Sequence, residues 1–326
     1  MEYTKLGNTG MDVSKICLGA MSFGDPAKWI HDWVLEEEES RTIIKRALEL
    51  GINFFDTANV YSWGRSEQIL GKALKDYAKR DEIVIATKVH QQMYEGPNGK
   101  GLSRKHIMSQ IDQSLENLQT DYVDLYIVHR WDYDTPIEET MEVLHDVVKS
   151  GKARYIGASA MYAWQFQKAN NVAEKNGWTK FISMQNHLNL IYREEEREMI
   201  PYCESENIAL TPYSPLASGR LVKNTTEASL RKKSDHVQRE KYDSTAEMDQ
   251  IIIDRIADLA KHYEVPKVSV ALAWLFSKKT LAAPIIGATK VSHIEDAVGA
   301  IDFKLSSEDI KYLEEPYIPH KIVGFS

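Results

Sequence analysis

Ile83-Val84-Ile85-Ala86-Thr87-Lys88 is a short run of β-branched and apolar residues, and Val123-Asp124-Leu125-Tyr126-Ile127-Val128-His129 is another. Between them Ile107, Ile111, Leu115 and Leu118 recur every three or four positions, with Ser103 ahead of them. The outer runs have the length and composition of buried strands. The inner spacing predicts a helix over 103–117, with Ser103 as its N-cap. Strand, helix, strand in this order implies parallel strands, because parallel neighbours need a crossover connection.

The same rhythm extends in both directions. Strands are predicted at Ile16–Gly19, Asn53–Asp56, Ile83–Lys88, Val123–His129, Ala153–Ser159, Phe181–Gln185, Ile208–Pro212 and Ala283–Ile286. Helical patterns fall at 36–50, 66–78, 103–117, 137–149, 162–176, 194–206, 246–263 and 292–301. Gly51 and Gly151 follow two of them where a C′ glycine belongs. Eight βα units and no linker point to one domain over 1–326, a (β/α)8 TIM barrel. An open doubly wound sheet is less favoured, because the turn after the first strand, Cys17-Leu18-Gly19-Ala20-Met21-Ser22-Phe23-Gly24, lacks GxGxxG. Tyr3–Leu6 and Met11–Ser14 read as an N-terminal hairpin that plugs the barrel's bottom. His90–Leu102, Arg130–Pro136 and Ser214–Thr245 are long loops after strands, hence extended loops on the C-terminal face. The tail after Lys311 shows no helical period and is expected to lie across a surface.

Composition narrows the function classes. The chain has 326 residues, 43% hydrophobic and 27% charged, with a net charge of −8. That balance is globular and disfavours nucleic acid as a partner, since phosphate binding rests on Lys and Arg. No uncharged apolar run is long enough for a membrane span, and Met1-Glu2-Tyr3-Thr4-Lys5 lacks a signal-peptide layout. Two cysteines, Cys17 and Cys203, with no CxxC, fit a reducing cytosol and a cytoplasmic location. The histidines show no metal spacing, so no metal is expected. The basic triplet Arg231-Lys232-Lys233 reads as a solvated face.

The chemistry lies at the strand ends. The second strand ends in Asp56, with Tyr61 five residues on; the third ends in Lys88 and the fourth in His129. A barrel brings all four to one mouth. Singly, each has an ordinary structural reading as a packed Tyr, a buried ion pair or a satisfied His. Together they suit carbonyl reduction, which needs a hydride donor and a proton donor. No side chain donates hydride, so a nicotinamide cofactor is implied. A tyrosine can donate the proton when an ammonium such as Lys88 favours its phenolate. Asp56 can hold Lys88, and a neutral His129 can orient the carbonyl oxygen.

Gly51-Ile52-Asn53-Phe54-Phe55-Asp56-Thr57-Ala58-Asn59-Val60-Tyr61 resembles the aldo-keto reductase signature, and Tyr122–His129 and Gly151–Ser159 are similar to two further family segments. Within that superfamily the chain is most similar to the bacterial YajO-like group, sharing Arg130-Trp131-Asp132-Tyr133 and Tyr192-Arg193-Glu194-Glu195-Glu196-Arg197-Glu198. The resemblance implies the barrel, NADPH (NADP+) as the usual cofactor, and Tyr61 as proton donor with Asp56, Lys88 and His129 as partners.

It also implies, by position, that Ser159 and Gln185 bind the nicotinamide carboxamide and that Tyr213 stacks on the ring. Ser214, Leu216, Ser218, Gly219 and Arg220 form the loop over the pyrophosphate. Gly287, Thr289 and Lys290, ahead of a helix start, take the 2′-phosphate, with His293 and Asp296 near the adenine. Ala160 stands where many relatives carry Asn. Trp63 and Trp131 are expected to line an apolar mouth for aromatic or aliphatic aldehydes; Trp29 and Trp33 read rather as loop packing. Potassium-channel β subunits resemble the same superfamily, so an NADPH-binding regulatory barrel of low turnover is the alternative. A metal-dependent aldolase or isomerase barrel has no ligand cluster behind it.

Overall fold

The computed structural model describes residues 1–222 and 236–325. The chain opens with an antiparallel hairpin, β1 (Tyr3–Lys5) and β2 (Asp12–Ser14). Eight strands follow: β3 (Cys17–Gly19), β4 (Phe54–Asp56), β5 (Val84–Val89), β6 (Val123–Val128), β7 (Ala153–Ser159), β8 (Phe181–Gln185), β9 (Ala209–Leu210) and β10 (Ile285–Gly287). They form one parallel sheet in the order β10-β3-β4-β5-β6-β7-β8-β9. Backbone bonds join its two ends: Leu210 N–H donates to Thr280 O, Ala282 N–H to Leu210 O and Ile285 N–H to Pro212 O, each at 2.9 Å. The sheet therefore closes on itself into the expected (β/α)8 barrel.

Side chains alternate across each strand, so one set fills the barrel and the other meets the helices. Cys17, Phe54, Val84, Ala86, Leu125, Ile127 and Ile285 pack together inside, with Leu6 and Val13 of the hairpin. The hairpin thus stoppers the barrel's floor. Gly7, at its turn, has φ +58° and approaches so closely that a Cβ would sit 2.7 Å from Ile182 O. On the other face Ile85, Val89, Tyr126 and Val128 join the apolar sides of the helices.

The surrounding helices are α1 (Glu37–Glu49), α2 (Arg65–Tyr77), α3 (Arg104–Leu118), α4 (Ile137–Lys149), α5 (Ala163–Asn176), α6 (Met199–Ser205), α7 (His236–Tyr242), α8 (Ala246–His262), α9 (Lys267–Phe276), α10 (Val291–Gly299) and α11 (Ser307–Glu314). The Ser103 side chain caps α3 by accepting from His106 N–H. Gly71 of α2 lies so close to the end of α3 that a Cβ would stand 2.3 Å from Leu118 O and 2.5 Å from its carbonyl carbon. Backbone cannot yield as a side chain can. Gly71→Ala is therefore expected to lower the unfolding free energy by roughly 1–3 kcal/mol, read as an earlier urea midpoint, despite alanine's better helix propensity.

Four sequence expectations need correction. The pattern at 194–206 is a 3-10 turn at Glu194–Glu196 followed by α6; Pro201 lacks an N–H and is tolerated only in a first turn, so α6 starts just before it. Helix α9 escaped notice because it is apolar almost all round, with Val268 to Leu275 all buried, which erases the stripe. Helix α11 runs past Lys311 to Glu314, started by a reciprocal cap in which Asp309 N–H donates to Ser306 Oγ (3.1 Å) and Ser306 N–H to Asp309 Oδ2 (3.0 Å). Helix α7 lies inside what reads as a single loop, Ser214–Thr245; Arg231-Lys232-Lys233, in that loop, falls outside the described residues. Among the described residues no helix is long and apolar enough to cross a membrane. Both thiols are free and fully buried, Cys17 inside the barrel and Cys203 in the helical layer.

Candidate active site

Each inward row of side chains turns polar at the C-terminal end of its strand: Phe54 gives way to Asp56, Val84 and Ala86 to Lys88, Leu125 and Ile127 to His129. The four candidate residues therefore meet at one mouth. Lys88 is fully buried and has three protons to place. Its Nζ donates to Asp56 Oδ1 at 2.5 Å, to Thr57 O at 2.8 Å and to the Tyr61 hydroxyl oxygen at 3.3 Å. Burial alone would pull this ammonium down, but Asp56 and Tyr61 outweigh it and hold Lys88 above its usual value. Asp56 is gripped from its other side by Gln185 Nε2, 2.9 Å from Oδ2.

The loop carrying Tyr61 is pinned to β5. Thr57 N–H donates to Ala86 O (2.9 Å) and Asn59 N–H to Lys88 O (3.3 Å). Directly after Tyr61, Ser62 and Trp63 sit at φ 47° and 54°, then Gly64 at 88°. Left-handed backbone costs a non-glycine residue about 1–2 kcal/mol, and such strain concentrates at functional sites. The His129 ring stands edge-on to Tyr61, centroids 5.9 Å apart. Burial, with Arg130 and Lys88 close by, pushes its imidazole well below the usual range, so it is neutral. Its Nδ1 is sealed in without a partner.

Ser159 Oγ donates to Gln185 O at 2.8 Å, which locks β7 to β8 below the mouth. Ala160, next in the chain, takes φ 40°, a conformation that Asn tolerates better than Ala. Tyr213 stacks on His187, centroids 5.1 Å apart; its buried hydroxyl has no partner, and burial pushes it up to about 12. Beyond it Ser214, Ala217, Ser218 and Gly219 all have positive φ, 53°, 47°, 57° and 94°. Backbone of this kind turns N–H groups into a concave cradle for anions. Arg220 ends the segment, paired with Asp243, and Leu216 packs on the core. Gly287 ends β10, and Thr289 and Lys290 lead into α10, whose first turns carry His293 and Asp296. Gly287 and Lys290 are exposed, and Thr289 N–H meets His293 Nδ1 at 3.4 Å. This donor set fits a phosphate-bearing dinucleotide: a partnerless aromatic hydroxyl, a left-handed cradle and a cation, Lys290, at a helix start.

Trp131 is half-buried, 6.0 Å from Trp164, while Trp63 is 52% exposed. Trp29, read from the sequence as packing, instead faces the Tyr61 ring at 5.9 Å. Sequence reading also missed the Thr57 carbonyl, which as a backbone acceptor leaves no mark in residue type, and the C-terminal tail. Glu194 Oε1 accepts from Tyr317 Oη (2.8 Å) and His320 N–H (2.7 Å), and His320 Nε2 meets Asp249 Oδ1 at 2.8 Å. Val323 N–H then donates to Tyr192 Oη (3.2 Å), Gly324 lies against the Tyr213 hydroxyl, and Phe325 meets the Tyr162 ring at 4.8 Å.

The model of the Aldo/keto reductase family matches residues 15–318. The chain belongs to the aldo/keto reductase family. It is 46% identical to a versiconal hemiacetal acetate reductase of Aspergillus parasiticus, covering 99% of this chain and 98% of that one. A Schizosaccharomyces pombe protein provisionally named an aryl-alcohol dehydrogenase is 45% identical (99% and 97% covered), and an aldo-keto reductase of Fusarium vanettenii 41% (100% and 94%). These relatives are fungal, so the narrower likeness to the bacterial YajO-like group has no support among them. This aldo/keto reductase is an oxidoreductase of carbonyl and alcohol groups, from a family that uses nicotinamide cofactors.

Next to Glu194 in the chain, this reductase holds a buried carboxyl, Glu195, that forms no hydrogen bond among the described residues. Burial and neighbouring Glu194 push Glu195 up to about 8. Its folded-state value exceeds its unfolded one, so stability falls as pH rises from about 4.3 towards that value. Glu195→Gln is expected to raise the unfolding free energy by roughly 4 kcal/mol at pH 7.5 and to change it little at pH 4.5, measured by urea unfolding at both.

Proposed function

We propose that the protein reduces aldehydes and ketones with NADPH, using Tyr61 as the proton donor. The observation that carries this reading is the full allocation of the Lys88 protons: one enters the Tyr61 oxygen, which leaves the phenolic hydrogen free to move outward. A reduced nicotinamide, when bound, supplies the hydride. Neutral His129, in its Nε2–H tautomer, donates to the substrate oxygen and orients it. Tyr61 passes its hydrogen to that oxygen, and the Lys88 ammonium stabilises the phenolate left behind. Asp56 and Gln185 keep Lys88 aimed.

Ser159, Gln185 and Tyr213 would hold the nicotinamide, and Ser214, Leu216, Ser218, Gly219 and Arg220 the pyrophosphate. Gly287, Thr289 and Lys290 would hold the 2′-phosphate, with His293 and Asp296 at the adenine. Exposed Lys290 is the reason to favour NADPH over NADH. Trp63 and Trp131, joined by Trp29, support aromatic aldehydes as substrates. Two buried free thiols suit a cytoplasmic setting.

NADPH oxidation with 4-nitrobenzaldehyde tests the proposal. The expected result is turnover that collapses in Tyr61→Phe. Tight NADPH binding without turnover across a broad carbonyl panel would instead mark a regulatory barrel.

A further inference from the structure

Arg130 follows β6 and stands next to His129 in the chain. Every other half-buried arginine among the described residues is ion-paired, for example Arg41 with Asp76, Arg80 with Asp124, Arg193 with Glu196 and Arg255 with Glu315. Arg130 has no carboxylate among the described residues. Its protein hydrogen bond runs from Nη1 to His129 O at 2.6 Å, which leaves most of a five-donor fork unused. A cation partly withdrawn from water without a counter-charge is disfavoured, so its retention here needs a reason.

Its position supplies one. The charge of Arg130 acts on His90, which follows β5, on His129 after β6, on His187 after β8 and on Tyr213 after β9. Arg130 is the second residue past β6, beside His129 on the C-terminal rim that also carries Asp56 and Lys88, and its Nη1 is held by the His129 carbonyl, so the guanidinium lies at the rim of the mouth. The phosphates of the cofactor have their own candidate partners on other elements, Ser214–Arg220 and Gly287–Lys290, and a carboxamide is neutral. What remains unmatched is an anion on the substrate. A guanidinium offers two parallel N–H groups to a carboxylate or a phosphate, with more specificity than a point charge.

We propose that Arg130 is a substrate-recognition residue, which selects carbonyl compounds bearing an anionic group, carboxylate or phosphate. The proposal rests on the reductase reading above and names the substrate class of that same mouth.

Steady-state kinetics with NADPH and two matched pairs test it. The pairs are 4-carboxybenzaldehyde against methyl 4-formylbenzoate, and 4-formylphenyl phosphate against 4-methoxybenzaldehyde. In the wild type the charged member of at least one pair is expected to have the lower KM, and the pair that shows this identifies the anion. Arg130→Met should raise KM for that member about 10-fold or more, with its neutral partner and NADPH changed by less than about twofold. Arg130→Lys, which keeps the charge but not the fork, should give an intermediate loss confined to the charged compounds, and serves if Arg130→Met does not fold. Equal losses on charged and neutral members, no wild-type preference for either anion, or a matching rise in KM for NADPH would each overturn the proposal while leaving the reductase reading intact. No turnover of any of the four compounds would remove both.

Discussion

Tyr61→Phe is expected to lower kcat by roughly 10²–10⁴-fold while NADPH affinity stays within about twofold. The substitution removes one oxygen. That oxygen is the acceptor of the third Lys88 proton at 3.3 Å, and the other two acceptors, Asp56 and Thr57 O, remain. The loss of stability should therefore stay near about 1 kcal/mol. The ring still packs between Trp29 and His129, so the mouth keeps its shape. Single-turnover kinetics and a fluorescence titration with NADPH separate the two effects. Tight binding with a slow chemical step assigns the proton to Tyr61. An unchanged rate would take that role from it.

Lys88→Met should cost both rate and fold. The Lys88–Asp56 pair is out of water, with side-chain exposures of 0% and 4%. Removing one partner leaves a buried charge uncompensated, worth roughly 3–5 kcal/mol of stability, and should take kcat down by at least about 100-fold. Adding Asp56→Asn discharges the orphaned carboxylate, whose Oδ2 side still faces Gln185. The double variant should recover most of the stability and none of the activity. Thermal unfolding and NADPH oxidation on the same three proteins check this. If the double variant is no more stable than Lys88→Met, the loss comes from the methionine's packing rather than from the stranded charge.

The barrel was legible because its strands are short apolar runs and most of its helices are amphipathic. Ile83–Lys88 and Val123–His129 differ from β5 and β6 by a residue at the ends. Where a helix has no polar face, as in Lys267–Phe276, periodicity carries no signal. The site was legible where type and place coincide: Asp56, Lys88 and His129 stand out because they end inward apolar rows. What stayed hidden depends on the third dimension. The Thr57 carbonyl is backbone, Trp29 reaches Tyr61 across a loop with no period, and the tail returns to Tyr192 and Tyr213 over more than a hundred positions. Arg130 was visible as a residue, but its want of a carboxylate among the described residues was not.

The location of the two sulfhydryls turns the molecule into its own reporter. Cys17 lies in the barrel lumen, near enough to the Lys88–Asp56 pair to feel both charges, and Cys203 sits outside the staves, between sheet and shell. A bulky alkylating reagent can reach neither until its layer parts. The order in which the two become labelled would tell whether the outer coat loosens before the staves separate.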